Sequence, residues 1–157
     1  MRTLYFALIH SKIEYGLEIW GGSYYSTLYP VIVLQKAFIR ILANKTKFEH
    51  SLPIFRKLRI LPIRNLYIYK TLQVFFDRSG DQKISDFRRV SRNQLNVVVP
   101  KPNLTFFKKF FLYLAPTFFN LLPISIKECN VKNTFLKLTR SHLLLEDDIE
   151  KYFNTIV

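Results

Sequence analysis

Glycine is scarce in this 157-residue chain: there are four, beside one cysteine, one methionine and one tryptophan. Three of the glycines, Gly16, Gly21 and Gly22, crowd around Trp20 in "EYGLEIWGG", leaving Gly80 alone. So few cannot build phosphate-cradling loops, and no Walker loop, GxGxxG or GxSxG occurs. A single cysteine, Cys129, excludes an internal disulfide and fits a reducing, intracellular setting, cytoplasm or nucleus, rather than secretion. No apolar run approaches the ~20 residues that span a bilayer. "LYFALI" after Met1-Arg2 is short for a signal h-region, and no small-residue cleavage site follows. The sequons at Asn44 and Asn103 mean nothing without secretion.

Convergent ligands are also missing. His10, His50, His142 and Cys129 provide no pair at i and i+3 or i+4 on one helix, so no metal site and no cofactor is expected. Asp147-Asp148 in "LEDDIE" superficially suggest the paired aspartates of a polymerase. Such a pair needs a tight turn and a further aspartate from a neighbouring strand, whereas these follow a leucine-rich helix. They read as a solvated acidic helix end, and the chain on its own is not expected to be an enzyme.

Acids are few as well. Lys and Arg number 24 against 11 Asp and Glu, a net charge of +13. Residues 1–76 carry eleven cations and three acids, residues 77–110 eight and three, and residues 111–157 five of each. The excess lies wholly in the first two segments and points to a polyanionic partner: RNA, DNA or an acidic membrane surface. Half the chain is hydrophobic, with 15 Phe and 9 Tyr, which argues for a packed core.

Hydrophobic periodicity predicts a mainly α protein: a small helical bundle, a long basic loop, then a short C-terminal helical segment. The composition divides it as 1–77, 78–105 and 106–157. Residues 3–19 carry Leu4, Ala7, Leu8, Tyr15, Leu17 and Ile19 at helical spacing, with Gly16 inside and Gly21-Gly22 as the stop. "PVIVLQKAFIRILAN" has Pro30 in its first turn, a stripe of Val31, Leu34, Phe38 and Leu42, and Gln35, Lys36 and Arg40 on the other side. A short helix over 51–58 takes Ser51 as N-cap with Pro53 in its first turn. Pro62 opens the next, apolar at Leu66, Tyr69, Leu72 and Phe76. Beyond residue 78, "LNVVV" reads as a short strand, "LTFFKKFFLYL" fits strand or helix, and "APTFFNLLPISI" is a helix stopped at Pro123. The last helix is apolar at Val131, Phe135, Leu138 and Leu144, and "EDDIEKYF" is compatible with its extension.

Taken in order, several motifs resemble the segment that follows the polymerase domain in jockey-type non-LTR retrotransposon reverse transcriptases. They are Tyr15-Gly16, Trp20-Gly21, Gln35-Lys36, Ile39-Arg40 and Leu61-Pro62, followed by Asn120, Leu122-Pro123 and Ile126-Lys127. The family pattern has Trp-Asn where this chain has Phe119-Asn120, and Phe-Lys where it has Phe135-Leu136-Lys137. The similarity covers roughly residues 4–145. It implies a thumb-like fragment of an RNA-directed DNA polymerase whose catalytic aspartates, and the Mg2+ they hold, lie upstream. Met1 would then be an internal methionine or the start of a truncated copy. The resemblance implies sequence-independent grip on a primer–template duplex. Candidate phosphate contacts are Lys36, Arg40, Arg56, Lys57, Arg59, Arg88, Arg89 and Arg92, with "FFKKFF" offering aromatic surfaces beside two lysines. The alternative is a stand-alone basic helical protein that binds a partner protein or an anionic membrane surface.

Overall fold

The computed structural model describes residues 2–78, 95–146 and 148–153. The protein is mainly helical, with no strand among the described residues. It divides into two compact units, Met1–Tyr67 and Ile68–Val157.

The first unit opens with α1 (Arg2–Tyr5), a π turn (Phe6–His10) and α2 (Ser11–Glu14). The expected helix through residue 19 does not form. Tyr15 is extended and Gly16 takes a left-handed φ of 66°, so the chain restarts as α3 (Leu17–Trp20). A residue with a Cβ loses about 1–2 kcal/mol in that conformation, which is why glycine stands here. The half-buried Trp20 ring packs over Gly16, and its Nε1 donates to the Tyr15 carbonyl at 3.0 Å. Gly21 has a different reason. A Cβ there would overlap the Tyr67 ring and fall 2.5 Å from the Leu17 carbonyl oxygen.

α4 spans Tyr25–Leu42, so Pro30 lies in its second turn rather than its first. Its buried face is Leu28, Ile32, Gln35, Ile39 and Leu42, spaced four, three, four and three, and not the stripe through Leu34, which is 68% exposed. The helix ends in a Schellman closure: Asn44 takes φ 52°, Lys45 N–H donates to the Arg40 carbonyl at 2.9 Å and Asn44 N–H to that of Ile41 at 3.0 Å. α5 (Ser51–Leu58) has His50 rather than Ser51 as its N-cap, a one-residue shift, and Pro53 does sit in its first turn. It closes the same way, with Arg59 at φ 53° and Ile60 N–H donating to the Phe55 carbonyl at 3.0 Å. Tyr5, Ile39, Leu42, Ile54, Phe55 and Ile60 form the core beneath these elements.

α6 (Ile63–Arg78) begins directly after Pro62, as predicted, and from Ile68 onward it belongs to the second unit. That unit adds a 3-10 turn (Thr105–Lys109), α7 (Phe111–Leu121), α8 (Ile124–Lys127), α9 (Lys132–Leu145) and a 3-10 turn (Ile149–Tyr152). α7 stops just before Pro123, whose ring disfavours a helical residue in front of it. Phe119 lies between Phe75 and Phe135, with ring centroids 5.7 and 6.2 Å away, and Phe76 stacks on Phe135 at 4.8 Å. The buried face of α9 is Phe135, Thr139 and Leu143, whereas Val131 is 63% exposed. Glu146 turns extended, so α9 is not prolonged through "EDDIEKYF". "LNVVV" forms no strand beyond an isolated bridge at Val97, whose backbone is also held by a side chain, as described below.

Candidate nucleic-acid interface

Lys36 and Arg40 lie one turn apart on α4, both half-buried. Arg40 Nε donates to the Glu49 carbonyl at 2.8 Å, so this arginine also ties down the loop after the helix. Arg56 is half-buried and Lys57 exposed in the last turn of α5, where cations complement the helix dipole. Arg59, exposed, is the left-handed residue that ends it. These five belong to one unit, but 100° separates successive helical residues, so Arg56 and Lys57 diverge in direction. Arg88, Arg89 and Arg92 lie outside the described residues, as does Asp147. In the second unit "FFKKFF" does not bury its aromatics as a core segment would. Phe106 is 69% and Phe110 48% exposed, their rings are edge to face at 5.1 Å, and Lys108 and Lys109 are half-buried beside them.

The motif residues converge more tightly than the cations do. Gln35, expected on the surface, is buried and uses its amide fully. Nε2 donates to the Tyr5 hydroxyl at 2.8 Å and to the Leu61 carbonyl at 3.1 Å, while Oε1 accepts the Ile63 N–H at 3.0 Å. The last two groups flank Pro62, which has no N–H of its own to offer at the start of α6. Burial raises the Tyr5 phenol above its usual range, against the opposing effect of the Gln35 hydrogen bond. Gln35 of the Gln-Lys pair and Leu61 of the Leu-Pro pair, 26 residues apart in sequence, thus meet in one hydrogen-bonded knot.

A second knot serves the other unit. Asn120 Oδ1 accepts the Val97 N–H at 2.8 Å and its Nδ2 donates to the Val97 carbonyl at 2.9 Å, the pairing that a neighbouring strand would otherwise make. The buried Lys127 donates to the Asn120 carbonyl at 2.5 Å and to Asn96 Oδ1 at 3.0 Å, and burial lowers its amine below the usual lysine range. Pro123, exposed, separates α7 from α8 and so sets Asn120 and Lys127 on the two sides of one turn.

Sequence reasoning missed Gln35 and Lys127 as buried hubs. The 28/32/35/39/42 spacing is only one of two apolar stripes that α4 offers, so it did not single out Gln35, and nothing local marks Lys127. A further ionisable group surrounds Glu146, where burial would raise the carboxyl but the Lys151 hydrogen bond and charge, the Asp148 N–H and His142 together hold it low. His142 Nε2 lies 3.5 Å from Glu146 Oε2 and 3.1 Å from the Tyr152 hydroxyl. Among the described residues no group of His, Cys, Asp or Glu converges to hold a metal ion, and no helix is long and apolar enough to cross a membrane. Compared with protein-family models, curated proteins and solved structures, the chain matches none.

Proposed function

We propose that this chain is a nucleic-acid-binding fragment of a non-LTR retrotransposon reverse transcriptase, the part that follows the polymerase domain, and that it grips duplex backbone without reading sequence. The observation that carries the proposal is the charge of the first unit. Residues 1–67 hold ten Lys and Arg against three acids, so even complete pairing inside the unit leaves seven cations for an outside anion. The excess belongs to a packed helical unit, which gives those charges fixed positions against phosphates. The motifs shared with the retrotransposon pattern include Gln35, Leu61, Asn120 and Lys127, which form the two hydrogen-bonded knots, and this supports reading the resemblance as a shared fold requirement. Nucleotidyl transfer, its aspartates and its Mg2+ are assigned to an upstream polymerase domain, which is also a proposed partner.

The test is binding to an RNA–DNA hybrid over a range of salt. Neutralising ~4 phosphates gives a log–log slope near −3.6, taking the duplex coefficient of about −0.9 per contact. Changing Lys36 and Lys57 together to alanine should flatten the slope by up to about two units, and R88A/R89A/R92A by up to about three. No measurable binding at low salt, or a slope that neither variant alters, would overturn the reading.

A further inference from the structure

We propose that the outer face of α4 docks an amphipathic helix of a partner protein, one whose flank is acidic. The inner face, from Leu28 to Leu42, is committed to the core of the unit. On the opposite side Pro30, Val33, Leu34, Ala37 and Ile41 are all exposed, Leu34 and Ile41 by 68% and 71%. At about 100° per residue these five share one sector about 100° wide, and no charged residue interrupts it. A helix at the surface of a monomer ordinarily presents polar residues there; one that is apolar on both sides is covered on both sides.

The shape and borders of the stripe select the occupant. Ala37 sits in the middle of it, between Val33 and Leu34 on one side and Ile41 on the other, leaving a shallow into which the ridge of a second helix fits at an axial separation of about 8–10 Å. A helix lying on an anionic bilayer backs its apolar face with a polar face rich in Lys and Arg. Here Lys36 and Arg40 line one border only, and Thr27, Val31 and Phe38 line the other. Two cations one turn apart complement Glu or Asp at i and i+4 along one flank of the incoming helix. A second copy of this chain is a poor occupant, because each copy carries +13 and the first unit has three acids to offer.

The experiment uses the full chain and two fluorescent synthetic peptides of about three heptads, long enough to be helical. Both carry leucine along one face; one has glutamates along a single flank and the other lysines. The glutamate peptide should bind, and the lysine peptide at least about tenfold more weakly. Ala37→Arg, at an exposed position with good helix propensity, should weaken the glutamate peptide by about tenfold or more. Circular dichroism and the Trp20-monitored melt should stay as in the parent. Lys36→Glu should shift preference toward the lysine peptide. Failure of the glutamate peptide to bind, equal binding of both, or indifference to Ala37→Arg would each overturn the proposal. It would also fall if Ala37→Arg instead abolished sedimentation with phosphatidylserine-containing vesicles, or dissolved a dimer of the chain. Ala37→Arg leaves every candidate phosphate contact in place, so loss of hybrid-duplex binding and loss of peptide binding are read independently.

Discussion

Gln35 offers the sharpest test of how the first unit is held together. Gln35→Met keeps the volume and removes every polar atom of the side chain. It leaves the buried Tyr5 hydroxyl, the Leu61 carbonyl and the Ile63 N–H without the partners they have now. An unsatisfied buried group costs about 1–3 kcal/mol. Three of them set a range of roughly 3–9 kcal/mol, and fraying at the start of α6 returns the loss toward the lower end, about 3 kcal/mol. That is a large part of the 5–15 kcal/mol available to a typical domain. Urea unfolding followed by the fluorescence of Trp20, the one tryptophan and a resident of the same unit, measures it directly. Gln35→Glu adds a second readout. Its carboxylate would face the Leu61 carbonyl in a buried site, whereas the protonated acid can donate one hydrogen bond there. Its folded pKa is therefore raised, so its contribution is fully present below the unfolded value of about 4.3 and is lost as pH rises through the folded value. Relative to the parent, the Glu variant should gain stability on acidification and the Met variant should not. A Met variant within about 0.5 kcal/mol of the parent would refute the knot as a stabilising feature.

Gly21→Ala should lower the stability of the first unit by about 1–3 kcal/mol, because the new methyl has no room beside Tyr67 and Leu17, and Gly16→Ala by about 1–2 kcal/mol from backbone strain alone. Combining Gly16→Ala with Trp20→Phe, which removes the Nε1 donor to Tyr15, should then show coupling between neighbours in a double-mutant cycle. Asn120→Leu should accelerate amide hydrogen exchange at Val97 while leaving exchange within α9 near the parent rate; unchanged Val97 protection would count against the side-chain pairing. The second unit should also weaken in mild acid. Burial lowers the His142 pKa from its usual 6.5, partly offset by Glu146, so the neutral ring is favoured in the folded state. The associated stability is present above 6.5 and is lost as pH falls toward the folded value. His142→Gln should flatten the dependence of the near-ultraviolet dichroism melt on pH between these limits, and an unchanged profile would show that His142 is not its source.

Much of the helical architecture was legible because its signals are local. Pro62 begins α6 and Pro123 follows the end of α7, since a proline ring acts on its immediate neighbours whatever surrounds them. Pro30 is the exception, because a proline tells only that its own N–H is absent, and Tyr25 had room to start the helix a turn earlier. The scarcity of glycine and the lack of convergent ligands were equally plain in the sequence, as was the basic excess that motivates the nucleic-acid reading.

Which face of a helix turns inward was another matter. α4 is apolar on nearly every side, so its periodicity could not choose between the stripe through Leu34 and the one through Gln35. The choice was made by partners far along the chain: the Tyr5 hydroxyl, the Leu61 carbonyl and the Ile63 N–H, 26 to 30 residues away, satisfy a buried amide that would be expensive to bury alone. The same holds for Val97, which borrows a strand-like pairing from Asn120, 23 residues on, and for Arg40, whose guanidinium answers a carbonyl in the following loop. The sequence by itself determined where the chain coils and how much charge it carries. Tertiary structure decided which polar side chains join the core, because a hydrogen bond between distant residues leaves no periodic trace in either of them.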